Sequence, residues 1–104
     1  RNFRVQMIFA FLVLIAGLVL DISHQDWIAV GLLITMVLIT EAYNSVIEAL
    51  SDTISKDYQV NIKYAKDVSA GCVLITSILS AIAGSIIFAP YIIVEIQNLL
   101  EKMV

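Results

Sequence analysis

The chain is poor in most of what soluble proteins rely on. Its 104 residues include one cysteine, one proline and one histidine, and 14% are charged. A single thiol, Cys72, cannot close an intramolecular disulfide and says nothing about redox compartment; inside an apolar run it reads as a small packing residue. His24 has no cysteine, histidine or close acidic cluster at metal-ligand spacing, and reads as solvated loop surface. Six basic residues against nine acidic ones, a formal net charge of −3, give no support to nucleic-acid binding. There is no GxxxxGK[ST] phosphate loop, so any nucleotide site is unconventional. No small-x-small cleavage site follows the first apolar run either, so Arg1 and Arg4 introduce a true span rather than a signal peptide.

What the chain has in excess is hydrocarbon. Hydrophobic residues make up 61% and the mean hydropathy is +0.96, too apolar for a soluble domain of this size. The expectation is an all-α integral membrane protein, a single membrane domain over 1–104 with spans at about 3–20, 27–51 and 64–89. The connection 21–26 (DISHQD) is short enough to turn the second span back antiparallel, with Trp27 placed as an interfacial anchor. A polar connection carrying Asp52, Lys56, Asp57 and Lys63 leads to the third span, and Pro90 marks that span's end or a kink. Ser77, Ala81 and Ser85 recur every fourth residue, as do Ser80 and Gly84, a pattern that lets membrane helices approach closely. The tail 91–104 interleaves Ile92, Ile93, Ile96, Leu99 and Leu100 with polar residues, and reads as an amphipathic surface helix or an extension of the third span. Basic residues lie before span one and between spans two and three, with none in the first loop, which puts the N-terminus and second connection in the cytoplasm. Lys102 is the exception to that pattern.

One stretch conflicts with its apolar setting. Thr40–Asp52 reads TEAYNSVIEALSD. At about 100° per residue, Asn44 lies about 60° from Glu41, while Glu48 and Asp52 lie about 20° to either side of it. All four share one helix face. An ionised carboxylate in hydrocarbon costs from about 3 to over 10 kcal/mol, so the stripe must face protein, metal or water. At about 1.5 Å per residue Glu41 lies roughly 21 Å below Trp27, inside the bilayer, and Glu48 about 31 Å below it, at the boundary. Three helices shield such a stripe poorly, which points to an oligomer.

Lys66 and Asp67, after the second connection, can fold back beside Glu48 and Asp52. Carboxylates for a divalent cation, an amide to orient a ligand, a carboxylate to accept a proton and a lysine for phosphate oxygens are the parts phosphoryl transfer needs. The residues alone leave a second reading open, a small proton- or cation-coupled transporter subunit using Glu41 or Glu48. Mere helix–helix adhesion is a weaker reading, because adhesion does not require buried charge.

The run Glu41-x-x-Asn44-x-x-x-Glu48-x-x-x-Asp52, followed by Ala65-Lys66-Asp67 and an apolar helix, closely resembles the prokaryotic diacylglycerol kinase family, which includes the undecaprenol kinases of Gram-positive bacteria. The resemblance extends from Arg1 to Pro90. It implies a homotrimeric three-span lipid kinase of the bacterial cytoplasmic membrane, with ATP and Mg2+ bound between subunits at the cytoplasmic surface and a membrane lipid alcohol, diacylglycerol or undecaprenol, as acceptor. By motif position it implies Glu41 as metal ligand, Asn44 as a positioning residue in the nucleotide site and Glu48 as general base. Asp52, Lys66 and Asp67 would hold the nucleotide, Lys66 at its phosphates. Family members usually carry a further metal-binding glutamate that aligns just before Arg1, outside this chain. A histidine-containing stretch common in the family is replaced here by Tyr58 to Tyr64, and the tail beyond Pro90 is longer. Asp67-Val68-Ser69-Ala70-Gly71 is closer to the Gram-positive version, which leans the acceptor towards undecaprenol.

Overall fold

A computed structural model of the chain describes residues 3–54 and 59–104. Arg1, Asn2, Lys56, Asp57 and Tyr58, on which the expected orientation and second connection partly rest, lie outside the described residues. The described ones form three helices: α1 (Phe3–Leu20), α2 (His24–Ile54) and α3 (Val60–Met103). All three are long and apolar enough to cross a membrane, and no strand occurs among the described residues. The protein is an all-α integral membrane protein. A helix bonds every backbone group within its own segment, which is what a chain without water partners requires.

The turn from α1 to α2 closes through local hydrogen bonds. Asp21 adopts a left-handed conformation at φ 53, its N–H bonds the Leu18 carbonyl at 3.4 Å, and the N–H of Ile22 reaches back to the Gly17 carbonyl at 3.2 Å. This double closure is the Schellman ending of a helix, here with Asp where glycine is commoner, and Ile22 is buried beneath it. Ser23 then caps α2: its Oγ accepts from the Asp26 N–H at 3.2 Å. With the cap at Ser23, His24 is the first residue of α2 and not a loop residue, and it is exposed.

α1 meets α2 where glycine permits it. A Cβ built on Gly17 would sit 2.6 Å from the Trp27 ring, so Trp27, expected only as an interfacial anchor, also packs in the α1–α2 joint. Gly17→Val should destabilise the protein by about 1–3 kcal/mol, because the indole is rigid and cannot yield. The measurement is the thermal midpoint in detergent, with no change expected for Gly31→Ala, whose Cβ would meet open space.

α2 and α3 run antiparallel and are joined by polar pairs. From one end to the other these are Tyr91 with Ser23 and Asp26, Thr40 with Thr76 at 3.0 Å, Asn44 with Ser69 at 2.7 Å, and Asp52 with Lys66 at 3.1 Å. In lipid, apolar side chains gain nothing by leaving one hydrocarbon for another, so hydrogen bonds and close contact must fix the register. Consistent with that, among the described residues the buried polar ones are Glu41, Ser51 and Ser69, whereas the buried apolar side chains are Ile22 and Val30. The outermost pairs lie about 39 Å apart along α2, bracketing a hydrocarbon core about 30 Å thick. That places Glu48 at the edge of the core and Glu41 about 10 Å inside it.

Tyr91 makes two bonds with one hydroxyl. It accepts from the Ser23 N–H at 3.0 Å, one of the unsatisfied donors at the start of α2, and donates to the Asp26 carboxylate. Tyr91→Phe should cost about 1–3 kcal/mol, read as a lowered unfolding midpoint in mild detergent. Pro90, one residue earlier, does not end the helix. α3 has 44 residues, about 66 Å of helix, and the molecule's long axis is 66 Å, which leaves no room for a sharp bend. Of the two forms open to the tail, extension of the third helix is the one adopted, and residues 92–104 are exposed throughout. Cys72 is also exposed on the single chain.

Candidate active site

Among the described residues Glu41 is the most buried charged one, at 3% exposure. It sits on α2 between Thr40, which bonds Thr76, and Asn44, which bonds Ser69. No hydrogen bond or ion pair reaches Glu41 among the described residues. A carboxylate shielded from lipid and left without a protein partner is available to a ligand.

One turn along, Asn44 is held by a defined relay. Ser69 Oγ donates to Asn44 Oδ1 at 2.7 Å, with the Lys66 carbonyl oxygen at 3.1 Å from the same hydroxyl. An amide whose oxygen is occupied turns its nitrogen the other way, and Asn44 Nδ2 faces Glu48 Oε1 at 3.4 Å. The contact with Glu48 is long, so it orients more than it binds. Glu48 is half-buried, as is Asn44. A further turn on, Asp52 Oδ1 accepts from Lys66 Nζ at 3.1 Å, with the two side chains 65% and 40% exposed. A pair so wet contributes little to stability; its lysine is exposed enough to be taken over by a stronger anion.

The expected residues are therefore not all together. Asn44, Glu48, Asp52 and Lys66 form one cluster at the α2–α3 seam, and Glu41 lies about 10 Å further into the membrane than Glu48. Asp67 stands apart: it is paired with Lys63 one turn earlier on α3, and its side chain is 64% exposed. Ser69, Thr76 and Thr40 do not stand out in the sequence. Ser69 falls one turn after Lys66, a spacing that puts both on one helix face; for Thr40 and Thr76 the signal is a hydroxyl inside an apolar span, which is too common to weigh.

No group of three or more His, Cys, Asp or Glu side chains able to hold a metal occurs among the described residues. Magnesium does not need one, because it keeps several waters and takes one or two carboxylates together with substrate phosphates. Glu48 and Asp52, hard oxygen donors about 6 Å apart along one face and adjoining a lysine, fit that requirement.

The seam brings carboxylates, an oriented amide and a lysine together at one end of α2 and α3, and residues 1–88 match the family model described as prokaryotic diacylglycerol kinase. The chain belongs to the prokaryotic diacylglycerol kinase family. An undecaprenol kinase of Bacillus subtilis is 36% identical to it over 90 residues, which cover 86% of this chain and 73% of the relative. A diacylglycerol kinase of Synechocystis is 33% identical over 94 residues, covering 86% of this chain and 52% of the relative, so the chain spans about half that relative's length. No solved structure matches the chain significantly. Membership of the family makes the protein a lipid kinase and displaces the transporter reading.

Proposed function

We propose that this lipid kinase moves the γ-phosphoryl group of ATP to the hydroxyl of a membrane lipid alcohol, diacylglycerol or undecaprenol, at the cytoplasmic boundary of a bacterial inner membrane. The observation that carries the reading is the register of α2 against α3, which brings Lys66 to Asp52 and Ser69 to Asn44 and leaves Glu41 deeper. Phosphates held by Lys66 lie at the level of Asp52 and Glu48. Mg2+ would be held at this same level, which supports Glu48 as its protein ligand with Asn44 fixing the orientation of that carboxylate. Glu41, deeper in the membrane and without a protein partner among the described residues, is then the general base. Motif position alone assigns these two glutamates the other way round; the register favours the exchange.

The lipid hydroxyl is the nucleophile. Glu41 takes its proton as the new oxygen–phosphorus bond forms, the bond from the γ-phosphorus to the bridging oxygen breaks, and ADP leaves with that oxygen. Mg2+, when bound, neutralises phosphate charge. Lys66 and Asp52 position the nucleotide, and Asp67, with Lys63, contacts it at the exposed rim. The basic Lys63 and Lys66 at this end support a cytoplasmic site. Apolar side chains exposed along all three helices, together with a polar stripe that one copy only partly covers, support the homotrimer the resemblance implies.

The test is ATP radiolabelled at its γ-phosphate, offered with diacylglycerol, undecaprenol and ceramide in bilayers. Label is expected in diacylglycerol or undecaprenol; a cation- or proton-driven flux with no labelled lipid would overturn the reading.

A further inference from the structure

The end of α3 away from the candidate site lies outside the family match, which stops at residue 88. The outermost polar contact of α3 with α2 is made by Tyr91, whose hydroxyl holds Ser23 and Asp26 at the membrane boundary. Beyond it α3 continues to Met103, about 18 Å further. This segment stands clear of the hydrocarbon core, and residues 92–104 are exposed throughout.

The segment has two faces. Counted at about 100° per residue from Tyr91, which is turned to α2, the residues Ile92, Ile93, Ile96, Leu99, Leu100 and Met103 fall in one arc from about 80° to about 200°. All six are exposed. Glu95, Gln97, Asn98, Glu101 and Lys102 lie outside the arc. Its centre is about 140° from the side that meets α2, and none of the described residues covers it. Apolar side chains gathered on one side of a helix in water mark a surface made for a partner.

The spacing indicates what the partner is. Ile92, Ile96, Leu99 and Met103 follow one another by four, three and four residues, the steps of a coiled-coil seam. The same steps run inward through Ala89 and Ser85, both exposed on that side of α3, and their small side chains let another helix come close within the membrane. A second copy of this chain presents the matching helix. The membrane sets every copy the same way up, and the Tyr91 contacts fix the height and direction of the segment, so identical seams meet parallel and in register. A lipid surface fits less well, because to lie on it the segment must turn through roughly a right angle at Tyr91. α3 instead runs straight, its 44 residues matching the 66 Å long axis of the molecule. A lone helix of about a dozen residues is marginal in water, and a helical partner supplies the missing stability.

We infer that residues 92–103 form a parallel coiled coil with the same segment of a second copy, on the side of the membrane away from the kinase site. The contact uses the face of α3 turned from α2 and lies beyond the family-matched part, so it is additional to the subunit contacts that shield the polar stripe of α2. It does not rest on the kinase reading.

The test uses the full chain in lipid vesicles at a low protein-to-lipid ratio, with Cys72→Ser removing the native thiol. Equal positions of a parallel seam face each other, so under mild oxidation most of the Leu99→Cys protein should run as a disulfide-linked dimer. Asn98→Cys, about 160° from the centre of the arc, should stay monomeric on the same gel. Both cysteines replace exposed residues, so neither variant disturbs folding. Adding Ile96→Asp to Leu99→Cys should abolish the dimer and speed labelling of the thiol by a water-soluble maleimide. Equally low crosslinking of Leu99→Cys and Asn98→Cys would overturn the inference, as would a Leu99→Cys dimer that survives Ile96→Asp, which would show random collision. Slow maleimide labelling of Leu99→Cys with no dimer formed would assign the arc to lipid and overturn it as well.

Discussion

Glu41→Gln should remove nearly all lipid phosphorylation while ATP still binds. The substitution keeps the shape of the side chain and its place on the buried face, so the helix packing that surrounds it is retained. What it deletes is the ability to take a proton. A positioned base contributes about 10²- to 10⁴-fold to such a transfer, and kcat should fall by that amount with KM for ATP changed less than about threefold. Burial sharpens the effect: Glu41 is 3% exposed, so no bulk water stands ready to replace it. The loss is read by single-turnover labelling of lipid together with equilibrium binding of a non-hydrolysable ATP analogue. Wild-type turnover in Glu41→Gln would return the base to Glu48, the position that motif order suggests. Glutamine is also less costly than an ionised carboxylate at this depth, so the variant is expected to be at least as stable as the parent. Lost activity accompanied by a raised unfolding midpoint is the joint signature.

Glu48→Gln should act on the metal instead. Its Oε1 stands 3.4 Å from Asn44 Nδ2, and Asn44 is held by Ser69, so the carboxylate is presented from a fixed amide at the level of Lys66. Removing one of the few charged oxygens available to Mg2+ should raise the Mg2+ concentration for half-maximal activity about 10- to 100-fold. Part of the turnover should return at saturating Mg2+. An unaltered Mg2+ response would exclude Glu48 as a ligand. Ser69→Ala provides a graded control: it leaves Glu48 in place but frees the Asn44 amide to rotate, and should move the Mg2+ requirement in the same direction by a smaller factor.

Much of this site is legible in the amino-acid sequence. The stripe of Glu41, Asn44, Glu48 and Asp52 follows from helical spacing, and its cost in hydrocarbon marks it as functional. Lys66 is legible too, because a lysine just beyond a short connection has few places to go except back towards the end of the stripe. Ser69 is not, although it is buried and fixes the Asn44 amide. A serine in an apolar helix is usually bonded to its own backbone, and Ser69 Oγ does lie 3.1 Å from the Lys66 carbonyl oxygen. Only the neighbouring helix gives its hydroxyl a second meaning. Asp67 goes the other way: adjacent to Lys66 in sequence, it is turned about 100° round the helix and pairs with Lys63.

The amino-acid sequence by itself determined that the chain is three membrane helices, which residues share a face of α2, and which family it belongs to. These are properties of spacing and hydropathy, and they hold whatever the neighbours do. The tertiary structure decided the register. The bonds from Tyr91 to Ser23 and Asp26, from Thr40 to Thr76 and from Asp52 to Lys66 set α3 at one height against α2. Apolar helix surfaces slide past one another at little cost, so the height of Lys66 against the two glutamates of α2 depends on a few polar pairs between residues far apart in the chain. That height sets Lys66 level with Asp52 and Glu48 rather than with Glu41.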